Sequence, residues 1–274
     1  MSTQDDAAAR RTINAAQLQR LRGMYGDLDR WRERSREHEE PESGSDMARD
    51  TGATPGLGMP FHVLARHQLA SGTQHLNMAR TCIEAREYFP LAHPTALRGA
   101  LLGSSRGVWL LSPSDASTRQ VRGARVALDM HRRLGEWVDE PYSGVEQDSR
   151  DQAQELMRER IADLEARDGV KEEPHWDTSV IRQAGQFVFS DPRQQGEVMA
   201  LWRQLSGDAH SLVWPHMTRA GTVRKRVARD PRYPAPMHEL TTGTDLREFV
   251  NEFSAAFRIL KVGWSLFDQR CTAE

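Results

Sequence analysis

Residues 244–267 read TDLREFVNEFSAAFRILKVGWSLF, and this stretch decides the fold class. Leu246, Phe249, Val250, Phe253, Phe257, Leu260, Trp264 and Phe267 recur mostly at steps of three and four, with charged or small residues between them. That is the period of an amphipathic helix, and so many large apolar groups on one stripe need a core to cover them. Thr244-Asp245 supplies the start, because a short oxygen-bearing side chain there accepts from the open N–H groups of the first turn. No run of alternating β-branched residues is long enough for a sheet. The expected fold is therefore all-α, a helical bundle.

Upstream, residues 219–243 hold Gly221, Pro231, Pro234, Pro236 and Gly243, and are expected to form a long irregular segment. Ser190-Asp191-Pro192 is a cap with Pro in the first turn, opening a helix that runs to Leu205; another turn or two is expected within 210–217. Further helices are expected over 179–187, 145–167, from Ser114 or Asp115 to Val138, and over 95–111. One more runs from Pro60 until Pro90 pushes its predecessor out of the helical region. Leu18, Leu21, Tyr25 and Leu28 place a helix over 12–38. Between the last two, residues 39–58 hold Pro41, Gly44, Gly52, Pro55, Gly56 and Gly58 and read as a flexible linker. The expected organisation is a separate N-terminal amphipathic helix in 1–38, a linker in 39–58 and a helical bundle domain in 59–274.

A formal net charge of -2 over 274 residues excludes a general polycation, so nucleic-acid binding requires a local patch. Cys82 and Cys271 are the only cysteines and show no zinc spacing, which fits a reducing compartment. The polar, acidic start has no apolar signal-peptide region, and no stretch reaches the roughly 20 apolar residues of a membrane span. A cytoplasmic protein without membrane contact is expected.

Gly99, Gly103 and Gly107 recur every four residues on one helix. Each costs about 1 kcal/mol relative to Ala. Close approach of another helix, within the fold or across a dimer, would offset this; a kinked or shortened helix is the alternative. No metal site is expected: His62, His67 and His75 have the wrong spacing for one helix face, and Glu172/His175 straddles Pro174. Gly56-Leu57-Gly58 follows no strand, and neither a Walker A pattern nor GxSxG occurs, so no cofactor is expected.

The densest basic cluster is Arg219, Arg224, Lys225, Arg226, Arg229 and Arg232. Such a cluster can steer a polyanion and is the candidate nucleic-acid-binding segment. Just before it lies Trp202-Arg203-Gln204-Leu205-Ser206-Gly207-Asp208-Ala209-His210. Of the Arg–His pairs separated by four to six residues, Arg203/His210 alone sits at an expected helix end, where Gly207 interrupts the pattern, flanked by Trp202 and Trp214.

In an all-helical chain, this Arg–His pair resembles the HEPN superfamily of helical nucleotide- and RNA-acting domains. Gln204 stands where that family commonly has Asn, Asp or His. The resemblance implies metal-independent RNA cleavage in a homodimer, of a toxin or phage-defence type. His210 would act as general base or acid and Arg203 would stabilise the phosphorane-like transition state. Gln204, Ser206 and Asp208 are the candidate supporting residues, with Ser206 and Asp208 placed to orient His210. The rival expectation is a non-catalytic interaction protein, pairing through the N-terminal helix and the Gly99/Gly103/Gly107 face.

Overall fold

The apolar stripe from Leu246 to Phe267 lies on the longest helix among the described residues, Leu246–Cys271, and Asp245 caps it by accepting from the backbone N–H groups of Arg247 and Glu248. The computed structural model describes residues 14–141, 144, 146–170, 176–227, 238–242 and 245–273. Within them the helices are α1 (residues 14–22), α2 (Tyr25–Arg34), α3 (Asp46–Ala53), α4 (Phe61–Glu84), α5 (Ala92–Leu111) and α6 (Ala116–Asp139). They continue as α7 (Gln147–Glu165), α8 (Trp176–Val188), α9 (Pro192–Ala209), the short α10 (Trp214–Thr218) and α11 (Leu246–Cys271). Among the described residues the fold is all-α apart from one hairpin, β1 (Thr222–Arg226) against β2 (His238–Thr242). No helix among the described residues is long and apolar enough to cross a membrane.

α5 is the central post: it packs against α4, α6, α8, α9 and α11. It begins at Ala92, three residues earlier than expected, with Pro94 in its first turn. Pro is tolerated there because the first N–H groups of a helix lack intrahelical acceptors. The three glycines of α5 face α4. A methyl group on Gly103 would lie 2.8 Å from the Gln68 carbonyl oxygen and 2.9 Å from the Gly72 nitrogen, and one on Gly107 would strike Leu69. The glycine face therefore permits close helix approach inside this chain.

Three further expectations need correction. The 12–38 segment is broken at Gly23-Met24 into α1 and α2, and it is not separate: Leu21, Leu28 and Trp31 lie in the common core. The 39–58 segment is not a flexible linker. Ser45 caps α3 through the Ala48 N–H, Met47 and Leu57 are fully buried, and Asp50 is buried in an ion pair with Arg119 at 2.5 Å. Composition misled here because its glycines and prolines flank or end short elements instead of interrupting a long one. Finally, the 219–243 segment contains the hairpin, in the register Thr222↔Thr242 to Arg226↔His238. β1 holds Arg224, Lys225 and Arg226 in a row and each strand has one aliphatic residue, Val223 or Leu240, so no apolar alternation announced them.

Candidate functional site

α9 builds one wall of the site. Asp191 caps it through the Arg193 N–H, and Pro192 starts it. The helix runs four residues beyond Leu205, passing through Gly207, and ends with His210 as its C-cap. Ser211 follows in the left-handed region, at φ 56°, and two backbone bonds close the end: Leu212 N–H to Gly207 O and Ser211 N–H to Asp208 O, both 2.9 Å. This pair of bonds is the Schellman pattern, which satisfies the last carbonyls and fixes the chain direction. Gly207 thus does not break the helix. It makes room for α10: a methyl group there would lie 2.7 Å from the Pro215 ring and 2.8 Å from the Trp214 ring.

The result is an open cleft of about 1260 Å³ between α5, α6, α8, α9 and the start of α10. Arg203 and His210 both line it, as do Arg98, Arg133, Arg182, Ser206, Trp176, Trp202 and Trp214. Asp177 also lines it but is paired with Arg106 at 2.8 Å, so its charge is already met. Arg203 and His210 are exposed, and among the described residues neither side chain has a hydrogen-bonding or ionic partner. Arg98, Arg182 and Arg203 have no carboxylate partner among the described residues, whereas Arg133 is paired with Asp129 at 3.0 Å; the three unmatched guanidinium groups make the cleft electropositive, and the indole rings add flat apolar faces. Trp202 is pinned by its Nε1–H to Thr178 Oγ1, 3.2 Å, while Trp214 at the rim is 42% exposed. Arg and aromatic faces together suit a ligand with phosphates and bases.

Comparison with protein-family models, with curated protein sequences and with solved structures finds no match.

The supporting residues divide. Ser206 lines the cleft, where its Oγ accepts from Arg98 Nε at 3.2 Å and makes no contact with His210. Gln204 faces a different pocket, of about 430 Å³, beside Glu248 and Glu252. Asp208 cannot orient His210. It points inward and pairs with Arg219 at 2.6 Å. Arg219 is the main correction among the expected nucleic-acid-binding residues: it is buried, and it also holds Glu252 at 2.9 Å and Glu248 at 3.2 Å. Burial pushes the carboxyls of Asp208 and Glu248 above their ordinary range and that of Glu252 up to about 7. Desolvation works against the Arg219 charge, yet the surrounding carboxylates hold its proton more tightly than usual. Arg224, Lys225 and Arg226 are exposed on β1 and are not part of the cleft lining, while Arg229 lies outside the described residues. Among the described residues no three His, Cys, Asp or Glu side chains converge as a metal site.

Arg98, Arg133, Arg182 and Trp176 had no sequence signal as a group, since they come from three different helices. Only Arg98 left a trace, as a charge interrupting the apolar run of α5.

Proposed function

We propose that the cleft binds RNA and that Arg203 and His210 cleave it without a metal, as the resemblance to HEPN proteins implies. The observation that supports this most is that both residues of the motif open into one electropositive cleft with neither side chain engaged elsewhere. In the proposed reaction His210 takes the proton of a ribose 2′-hydroxyl. The freed oxygen attacks the adjacent phosphorus, Arg203 neutralises the charge gathering on the phosphoryl oxygens, and the 5′-oxygen leaves with a returned proton. The products carry 2′,3′-cyclic phosphate and 5′-hydroxyl ends. Part of the same proposal is that two copies pair and that RNA loss arrests growth, in the manner of a toxin or a phage-defence effector.

The test is incubation of the purified protein and its His210→Ala and Arg203→Ala variants with total RNA in the presence of a chelator. Cleavage with cyclic-phosphate ends by the parent, lost in both variants, is expected. Equal cleavage by parent and variants would remove the pair from the chemistry. Sedimentation of the parent tests the pairing of two copies.

The rival, a non-catalytic interaction protein, loses both of the surfaces first expected for it. The glycine face and the apolar stripe of the N-terminal helices are already covered by this chain. What favours it is a different feature, the exposed Leu212, Val213 and Met217 around α10. Its signature would be a protein that binds no RNA.

A further inference from the structure

Resting on the reading of the cleft as an RNA site, we infer that its ligand is single-stranded, with Arg98 anchoring a second phosphate and Trp214 stacking a base. Arg98 is half-buried, a position in which the terminal nitrogens of a guanidinium need acceptors: Arg122 finds the Trp109 carbonyl and Gln183 Oε1, and other arginines find carboxylates. In this protein Arg34, Arg80 and Arg106 are matched in that way, with Glu39, Asp29 and Asp177. Arg98 is not. Its guanidinium lies 4.6 Å over the Trp202 ring, and its Nε donates to Ser206. Among the described residues its two terminal nitrogens have no protein partner, although the side chain lines the cleft. Two contacts thus fix the plane of the group and leave its outer edge open, which is the arrangement that meets phosphate in a bidentate way. It is a separate anchor from Arg203, because it reaches the cleft from α5 and not α9.

Size and shape select among phosphate ligands. Small-molecule pockets run from about 300 to 1,000 Å³, and this cleft is about 1260 Å³ with arginines contributed by α5, α6, α8 and α9. A mononucleotide brings one phosphate to the three arginines of the cleft, Arg98, Arg182 and Arg203, that have no carboxylate partner among the described residues. A duplex fills grooves but keeps its bases stacked on one another, so it offers no face to an indole. Trp214 is large, apolar and 42% exposed at the rim, and is held there by the fit of its ring and Pro215 against Gly207. Unstacked bases of a single strand are the ligand feature that would cover it.

Fluorescence anisotropy with a labelled 2′-O-methyl strand of about twelve nucleotides, which resists cleavage and spans a typical single-strand site, tests this directly. The same strand as a duplex and unlabelled uridine monophosphate serve as competitors. The parent is expected to bind the single strand at least tenfold more tightly than either. Arg98→Ala should weaken binding about tenfold and lower the slope of log affinity against log salt by about 0.7, one phosphate contact on a single strand. Trp214→Ala should weaken it by roughly five- to a hundredfold, as loss of one stacked base does, and leave that slope unchanged. Arg98→Lys, which keeps the charge without the fixed plane, should retain the slope and bind with intermediate affinity. Arg158→Ala removes a cation from an exposed face of α7 and should match the parent. Equal affinity for duplex or mononucleotide, or an Arg98→Ala slope equal to that of Arg158→Ala, would overturn the inference. Cleavage that depends on His210 alongside such a result would leave the proposed activity standing. Binding that depends on Arg98 and Trp214 in a protein that cuts nothing would do the reverse.

Discussion

Asp208 and Arg219 meet at 2.6 Å in the interior, so the carboxylate two residues before His210 serves an internal cation and not the cleft. Arg219→Ala would strand Asp208 and Glu252 without their counter-charge. Breaking one partner from a buried pair costs about 3–5 kcal/mol, and a loss of that size is expected by urea denaturation. Arg224→Ala, on the exposed strand, should stay within about 0.5 kcal/mol of the parent. Similar small effects for both would show that Arg219 carries no structural load.

The same cluster makes stability depend on pH. Glu252, packed against Arg219 with Glu248 and Asp208 nearby, has its carboxyl raised by burial to about 7 in the folded protein, above the 4.5 of an ordinary glutamate. Between those values the native state holds a proton that the unfolded chain has released. Stability contributed by Glu252 is therefore present at low pH and is lost as pH rises through this window. Glu252→Gln has no such proton to lose. The variant should gain stability relative to the parent from pH 4.5 to about 7, and the difference should then level off. Parallel melting curves across that range would refute it.

Arg119 and Asp50 form the other deep pair, each 1% exposed, and Arg119 also donates to the carbonyls of Pro113 and Ser114. They tie α3 to the start of α6. Arg119→Ala should lose about 3–5 kcal/mol because it leaves Asp50 charged and buried. The double variant Arg119→Met with Asp50→Leu should recover much of that loss, since apolar residues of similar volume often replace a buried pair at little cost. A double variant as unstable as the single would show that the carbonyl contacts, not the ion pair, matter.

Gly207→Ala should push Trp214 and Pro215 away from α9, because the added methyl falls under 3 Å from both rings. Overpacking of this kind costs about 1–3 kcal/mol. Near-ultraviolet circular dichroism, which reports tryptophan packing, should change along with the melting temperature.

Ser211→Gly should act in the opposite direction. Ser211 holds a left-handed conformation at the end of α9, φ 56°, that glycine adopts without strain. A gain of about 0.5–1 kcal/mol is expected, visible as a higher melting temperature. A loss would mean that the serine side chain contributes there.

The helices were legible where a stripe of apolar residues met a cap. The helix from Leu246 and the Asp115 and Asp191 caps follow from local chemistry, and the structure has them; the helix from Phe61, expected to end at Pro90, ends six residues earlier at Glu84, with Arg86 in the left-handed region. The 39–58 segment was not legible, because α3 is only eight residues long and is held by Asp50 reaching a partner 69 residues away. The hairpin was hidden by its polar strands. Arg203, Ser206 and His210 were legible as candidates because they lie close together in sequence at the end of one helix, and they line the same cleft. Asp208 and Arg219 looked just as available, and only the tertiary packing shows that they satisfy each other. Arg98 meets Ser206 across 108 residues, a separation over which no local pattern carries information.

The contact of Gly103 with Gln68 and Gly72 has a consequence for how this chain assembles. α4 and α5 follow one another with only residues 85–91 between them, so bringing their backbones together closes a short loop. Short closures cost little entropy and favour rapid formation. This pair of helices is therefore complete in the chain well before α11 is reached. The arginine at position 98 is that pair's one contribution to the cleft, whose remaining lining comes later in the chain, from α6, α8, α9 and residues 210–214.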